Sequence, residues 1–65
     1  MVLIVNGERR ETEVRRIAAL LAEMEFTGTQ LAIAVNRGVV PRARWPDVEL
    51  NDGDAVEIIS PRQGG

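Results

Sequence analysis

The sequence predicts an α+β fold in which one helix packs on one face of a mixed sheet of four to five strands, and three observations carry that expectation. Runs of β-forming residues lie near both ends of the chain, as Val2 to Val5 and Ala55 to Ser60. A single amphipathic segment, from Thr12 to Glu25, lies between them. Tight-turn dipeptides, Asn6-Gly7 and Asp52-Gly53, sit where strands must reverse or begin.

Taken in order, Val2 to Val5 form the first strand, and Asn6-Gly7 supplies the positive φ that a two-residue hairpin turn needs at both centres. The return arm, Glu8 to Thr12, is heavily charged, as suits an edge strand that must not pair with another chain. In "TEVRRIAALLAEME", Val14, Ile17, Ala18, Leu21 and Met24 or Glu25 recur at helical spacing, which predicts an amphipathic helix of about three turns. Thr12 is its expected N-cap, Glu13 favours its positive end, and Gly28 is the expected exit.

"LAIAVNRGVVP" then alternates, with Leu31, Ile33 and Val35 on one face and Ala32 and Ala34 on the other, before a turn around Asn36, Arg37 and Gly38. Prolines break "PRARWPDVEL" at both ends, predicting an irregular crossing anchored by Trp45, with a short extended piece near Val48 to Leu50. The last strand directs Val56 and Ile58 to the helix and Ala55, Glu57 and Ile59 away from it, and Pro61 ends it. The first and last strands are the most apolar, so they are expected adjacent and parallel in the middle of the sheet.

Composition narrows function. Sixty-five residues make one domain, expected to span 1–65 with a flexible tail over about 61–65, and the core must be small. With no Cys and no His, neither a disulfide nor a typical structural zinc site is available. There is also no Lys and no Tyr, so carboxylates, Arg, one Ser and three Thr are all that remains for chemistry. No catalytic residues are assigned, and the chain is expected not to be an enzyme. Asp52 and Asp54 fall short of a calcium loop and read as turn chemistry, so no metal site is expected.

A net charge of −2 with two aromatics, Phe26 and Trp45, argues against nucleic acid. The Arg9-Arg10 and Arg15-Arg16 pairs, interspersed with Glu, read as a solvated face. No apolar stretch reaches membrane-spanning length and the start lacks signal-peptide features, so a cytoplasmic protein is expected, without membrane attachment.

The element order, with one crossing helix, is the β-grasp arrangement of ubiquitin-like proteins. An opening "VNG", a later "AVN" followed by "VVPR" and a Trp, then Leu50, Asp52-Gly53-Asp54, Glu57 and Ile58, and a final "QGG" together resemble the ThiS family of sulfur carriers over the whole chain. The resemblance implies that a ThiF-like enzyme uses ATP and magnesium to adenylate the carboxylate of Gly65, that sulfur displaces AMP to leave a thiocarboxylate, and that thiazole synthase (ThiG) takes the sulfur for thiamine. It also implies a sulfur donor protein and no cofactor bound at rest, while the size of a small lone domain suggests a monomer until a partner docks.

A Gly-Gly end suits that task, because backbone without Cβ atoms enters a narrow channel at any φ. Five residues at ~3.3 Å each reach roughly 17 Å. Arg62, Gln63 and Gly64 form the tail, and the first two are read either as partner contacts or as solubilising residues. Ala32, Ala34, Ala55, Glu57 and Ile59 make the sheet face away from the helix, read as a docking face or as an ordinary half-apolar surface. Two alternatives stay open: a MoaD-like carrier serving molybdopterin synthesis, and a ubiquitin-like interaction module without terminal chemistry.

Overall fold

The computed structural model describes residues 1–26 and 30–60. Five strands, β1 (Val2–Val5), β2 (Glu8–Glu11), β3 (Ala32–Val35), β4 (Gly38–Val40) and β5 (Ala55–Ile59), form one sheet in the order β2-β1-β5-β3-β4. β1 and β5 are parallel and interior, as their apolar character predicts, while the other pairings are antiparallel. The sheet carries one helix, α1 (Ile17–Glu23), and a 3-10 helix, Arg42–Asp47, that packs against it. The expected α+β, β-grasp arrangement is therefore present, with five strands. No helix among the described residues is long and apolar enough to cross a membrane.

Two tight turns of the same kind build the outer hairpins. Val5 pairs with Glu8 across Asn6 (φ 52°) and Gly7 (φ 82°), the left-handed pair that a two-residue hairpin requires. Val35 pairs with Gly38 across Asn36 (φ 50°) and Arg37 (φ 73°), so an arginine occupies a place where glycine is preferred. The second hairpin corrects the sequence expectation: the short fourth strand is Gly38–Val40 and not Val48 to Leu50. The latter segment contributes only an isolated bridge between Glu49 and Arg16, with the Leu50 N–H donating to the Arg15 carbonyl at 2.8 Å.

That contact also explains why α1 begins late. The backbone of Arg15 and Arg16 is held extended by Glu49 and Leu50, and Arg16 caps the helix with φ −125° and ψ 148° without a side-chain hydrogen bond. Thr12 is therefore not the N-cap, Glu13 lies outside the first turn, and Val14 reaches the core from the extended lead-in. Thr12 is instead buried, its Oγ1 accepting from the Val14 N–H at 3.2 Å and donating to Glu23 Oε1 at 2.9 Å.

The helix ends in a Schellman arrangement: the Phe26 N–H donates to the Leu21 carbonyl at 2.9 Å and the Glu25 N–H to the Ala22 carbonyl at 3.1 Å. Glu25 takes the left-handed conformation there, φ 62°, and the expected exit residue Gly28 lies outside the described residues.

Between sheet and helices lie Leu3, Val5, Ile17, Leu20, Leu21, Ile33, Trp45, Leu50, Val56 and Ile58. Each fully buried aliphatic side chain among them contributes about 1.5–3 kcal/mol, which is how the domain holds without a disulfide. Trp45 is 8% exposed, as its anchoring role predicts, and its indole N–H donates to the Val40 carbonyl at 2.9 Å. The crossing around it is a 3-10 helix because prolines at 41 and 46 leave room only for short turns, closed by Arg44 N–H to Pro41 O (2.8 Å) and Val48 N–H to Trp45 O (3.2 Å).

Replacing Arg37 by Gly removes the left-handed cost of a side chain and should stabilise the domain by about 0.5–1 kcal/mol, read as a higher urea midpoint at unchanged slope. Glu23, bonded by the Thr12 hydroxyl and by Arg10 at 2.9 Å, has its carboxyl held below the ordinary value of 4.5. A lowered carboxyl contributes stability above 4.5 that is lost as pH falls through the folded-state value. Acid titration of stability should therefore show a decline below pH 4.5 that is shallower in Glu23→Gln.

Candidate functional site

β5 is the strand from which the chain runs on toward its last five residues, and it is held from both sides by asparagine side chains. On the β1 side the ladder passes from Ile4 N–H to Asp54 O (2.9 Å) and Asn6 N–H to Val56 O (2.9 Å). At Asn6 the backbone turns away, and the next rung is made by the side chain, whose Oδ1 accepts the Ile58 N–H at 2.8 Å. The amide of Asn6 thus replaces the peptide group that a longer β1 would have offered.

On the β3 side Asn36 does the same at the start of β5. Its N–H donates to the Ala55 carbonyl at 2.7 Å and its Oδ1 accepts the Ala55 N–H at 3.0 Å, the reciprocal pair of an antiparallel rung. Its Nδ2 donates to Asp54 Oδ1 at 3.0 Å. Each asparagine can do this because its left-handed backbone, tolerated by Asn better than by most residues, swings the side chain toward the neighbouring strand.

The turn before β5 is equally fixed. Asp54 Oδ2 accepts the Asn51 N–H at 2.8 Å, the Asp54 N–H returns to the Asn51 carbonyl at 3.0 Å, and Gly53 supplies φ 89°. Asp52 Oδ1 accepts the Val2 N–H at 2.6 Å while the Gly53 N–H donates to the Val2 carbonyl at 2.7 Å, tying the turn to the start of β1. Asp52 and Asp54 are thus spent on turn chemistry, and no cluster of potential metal ligands occurs among the described residues.

The five residues expected on the outer sheet face are brought together there. Ala32 pairs with Ile59 and Ala34 with Glu57, while Ala55 opens the strand; Ala32, Ala55, Glu57 and Ile59 are exposed and Ala34 is half-buried. Cross-strand partners share a face, so Val39, paired with Ala34 and 78% exposed, extends the patch, as does half-buried Ile4 opposite Ala55. Sequence reading placed the turn at Asn36, Arg37 and Gly38 but not the three-residue return strand that follows it, and so missed Val39. Ile59, 57% exposed, places the apolar part of the patch at the end of β5 nearest the terminal residues. The terminal sites, Arg62, Gln63, Gly64 and Gly65, lie outside the described residues.

The charged pairs fit a mainly solvated role. Arg9, Arg15 and Arg16 are exposed, and Arg10 meets Glu23 at 2.9 Å across β2 and α1.

With this geometry in view, the comparisons are specific. The model of the ThiS family matches residues 3–65. A sulfur carrier protein ThiS from Thermus thermophilus is 34% identical over 61 residues, covering 94% of this chain and 95% of that protein. A thiazole synthase from Paramagnetospirillum magneticum is 35% identical over 66 residues, covering 100% of this chain, which spans only 20% of that longer protein. Among solved structures, the thiamine biosynthesis protein ThiS from Geobacter metallireducens superposes with a TM-score of 0.83 at 26% identity, over 100% of both chains.

The clamp has a local test. Asn6→Gly keeps the positive φ but removes the amide, leaving the Ile58 N–H without its partner, and should cost about 1–3 kcal/mol. Amide exchange at Ile58 should accelerate more than at Val56, whose own rung does not use the Asn6 side chain.

Proposed function

The chain belongs to the ThiS family, and from that premise we propose that it is a sulfur carrier of thiamine biosynthesis that works through the carboxylate of Gly65. The observation that carries this reading is the family match itself, which runs from the first strand through the terminal Gly-Gly. Its supporting feature is a central strand clamped from both sides and leading directly to that terminus.

The chemistry belongs to the terminus and its partners. The Gly65 carboxylate attacks the α-phosphate of ATP in the site of a ThiF-like enzyme, magnesium-bound pyrophosphate leaves, and an acyl adenylate remains. A sulfur nucleophile at the sulfide level, delivered by a donor protein, then adds to the carbonyl carbon and expels AMP, leaving a thiocarboxylate. The chain contributes no side-chain nucleophile or base and needs no cofactor at rest. Its contribution is aim: docking a rigid sheet face fixes where the terminus enters the partner.

For the acceptor we favour thiazole synthase. A relative bearing that name contains a stretch matching this whole chain within a much longer protein, so a carrier-like unit and a synthase share one polypeptide there. Small alanines and the apolar side chains of Ile59 and Val39 give the outer face the character of a docking surface, with Glu57 as its charged member.

Intact mass after incubation with a ThiF-like enzyme, ATP, magnesium and a sulfide source should rise by the difference between sulfur and oxygen, and the chain lacking Gly65 should show no change. An unchanged mass beside a carrier that loads normally would reject the terminal chemistry. Ile59→Asp, at an exposed position, should keep its circular dichroism yet load at least about tenfold more slowly, equivalent to roughly 1.4 kcal/mol of docking energy. Loading at the normal rate would remove the outer face from the interface.

A further inference from the structure

The helical side of the molecule, opposite the outer sheet face, carries a second surface feature. Between α1 and the 3-10 helix runs an open groove of about 430 Å³ lined by Arg16, Ala18, Arg42, Trp45 and Pro46. Its volume falls within the ~300–1,000 Å³ of small-ligand sites. Ala18, Trp45 and Pro46 supply apolar walls, and the side chains of Arg16 and Arg42 complete the lining.

Those charges are unspent. The one ion pair among the described residues joins Arg10 to Glu23, so Arg16 and Arg42 are unpaired in a chain whose net charge is −2. The guanidinium of Arg42 lies over the Trp45 ring, 5.1 Å from its centroid. A guanidinium stacked in this way keeps N–H donors for a carboxylate while the ring restricts its motion, which reduces the entropy lost on binding. Trp45 is 8% exposed and carries Arg42 over its ring, so too little of the ring is open for a nucleobase to stack on it.

We propose that this groove docks an acidic peptide segment of a partner protein, with an apolar side chain against Ala18, Trp45 and Pro46 and flanking carboxylates on Arg16 and Arg42. The site is separate from the outer sheet face, so both surfaces can be occupied at once, and it stands whether or not Gly65 carries sulfur.

Trp45 is the only tryptophan in the chain and reports on the groove directly. The probe is an acetylated, amidated pentapeptide with one leucine between two pairs of acidic residues, titrated while Trp45 emission is followed. The expected result is a saturable change with half-saturation below about 1 mM at low salt, weakening as salt is added. Arg16→Gln and Arg42→Gln should each weaken it at least fivefold with unchanged circular dichroism, Arg16→Gln without touching the stack on Trp45. The amide analogue of the peptide, with Gln and Asn for Glu and Asp, should bind far more weakly. No saturable response, equal binding by the amide analogue, or tighter binding by ATP than by the peptide would each overturn the proposal.

Discussion

The hydrogen bonding of one strand organises this molecule. β5 is the third strand of five, it carries two core side chains, Val56 and Ile58, and its two neighbours each turn away short of its full length, β1 before its end and β3 before its start. An interior strand that leaves N–H groups unpaired loses stability, most where the group is partly buried, as at Ile58. The chain meets that requirement with two asparagines in left-handed turns, each using one residue both to reverse its hairpin and to complete a rung on β5. The turn dipeptides are therefore also sheet-pairing devices, and the VNG and AVN segments acquire a physical reason.

Around that strand the core is assembled from side chains alone. Leu50 and Trp45, both from the crossing segment, close the end of the core that one short helix cannot cover. The same crossing pins the lead-in of α1 through the Arg15 and Arg16 backbone, so helix, crossing and sheet stabilise one another instead of forming separately. The Thr12–Glu23–Arg10 contacts join β2 to the far end of α1 and complete that closure.

Much of this was legible in the sequence, and each failure has its own physical cause. Alternation in Ala55 to Ile59 gave the inward and outward faces correctly, Asn6-Gly7 gave the first hairpin, and apolar content placed β1 and β5 at the centre. The start of α1 was not legible, because the pattern from Thr12 onward is helical by spacing and only a long-range pairing with Glu49 and Leu50 holds its first residues extended. Gly28 was the local cue for the helix exit, yet Glu25 takes the positive φ because the two Schellman hydrogen bonds fall there. The turn at Asn36, Arg37 and Gly38 was legible, but the strand after it was not, because only Gly38, Val39 and Val40 precede Pro41, and Val39 left the candidate surface with it. Alanines at 32, 34 and 55 were legible as outward residues, whereas the role proposed for Gly65 rests on resemblance and not on periodicity.

The Asn6-Gly7 turn also bears on chemical ageing. An asparagine followed by glycine is the linkage most open to cyclisation, since the glycine nitrogen meets no side chain as it attacks the asparagine carbonyl carbon. While Asn6 Oδ1 accepts the Ile58 N–H, that carbonyl is engaged with β5 and is not free to swing back onto Gly7. The hydrogen bond that completes the sheet thereby acts as a chemical preservative, and slow deamidation becomes a record of how much time each molecule has spent with this hairpin open.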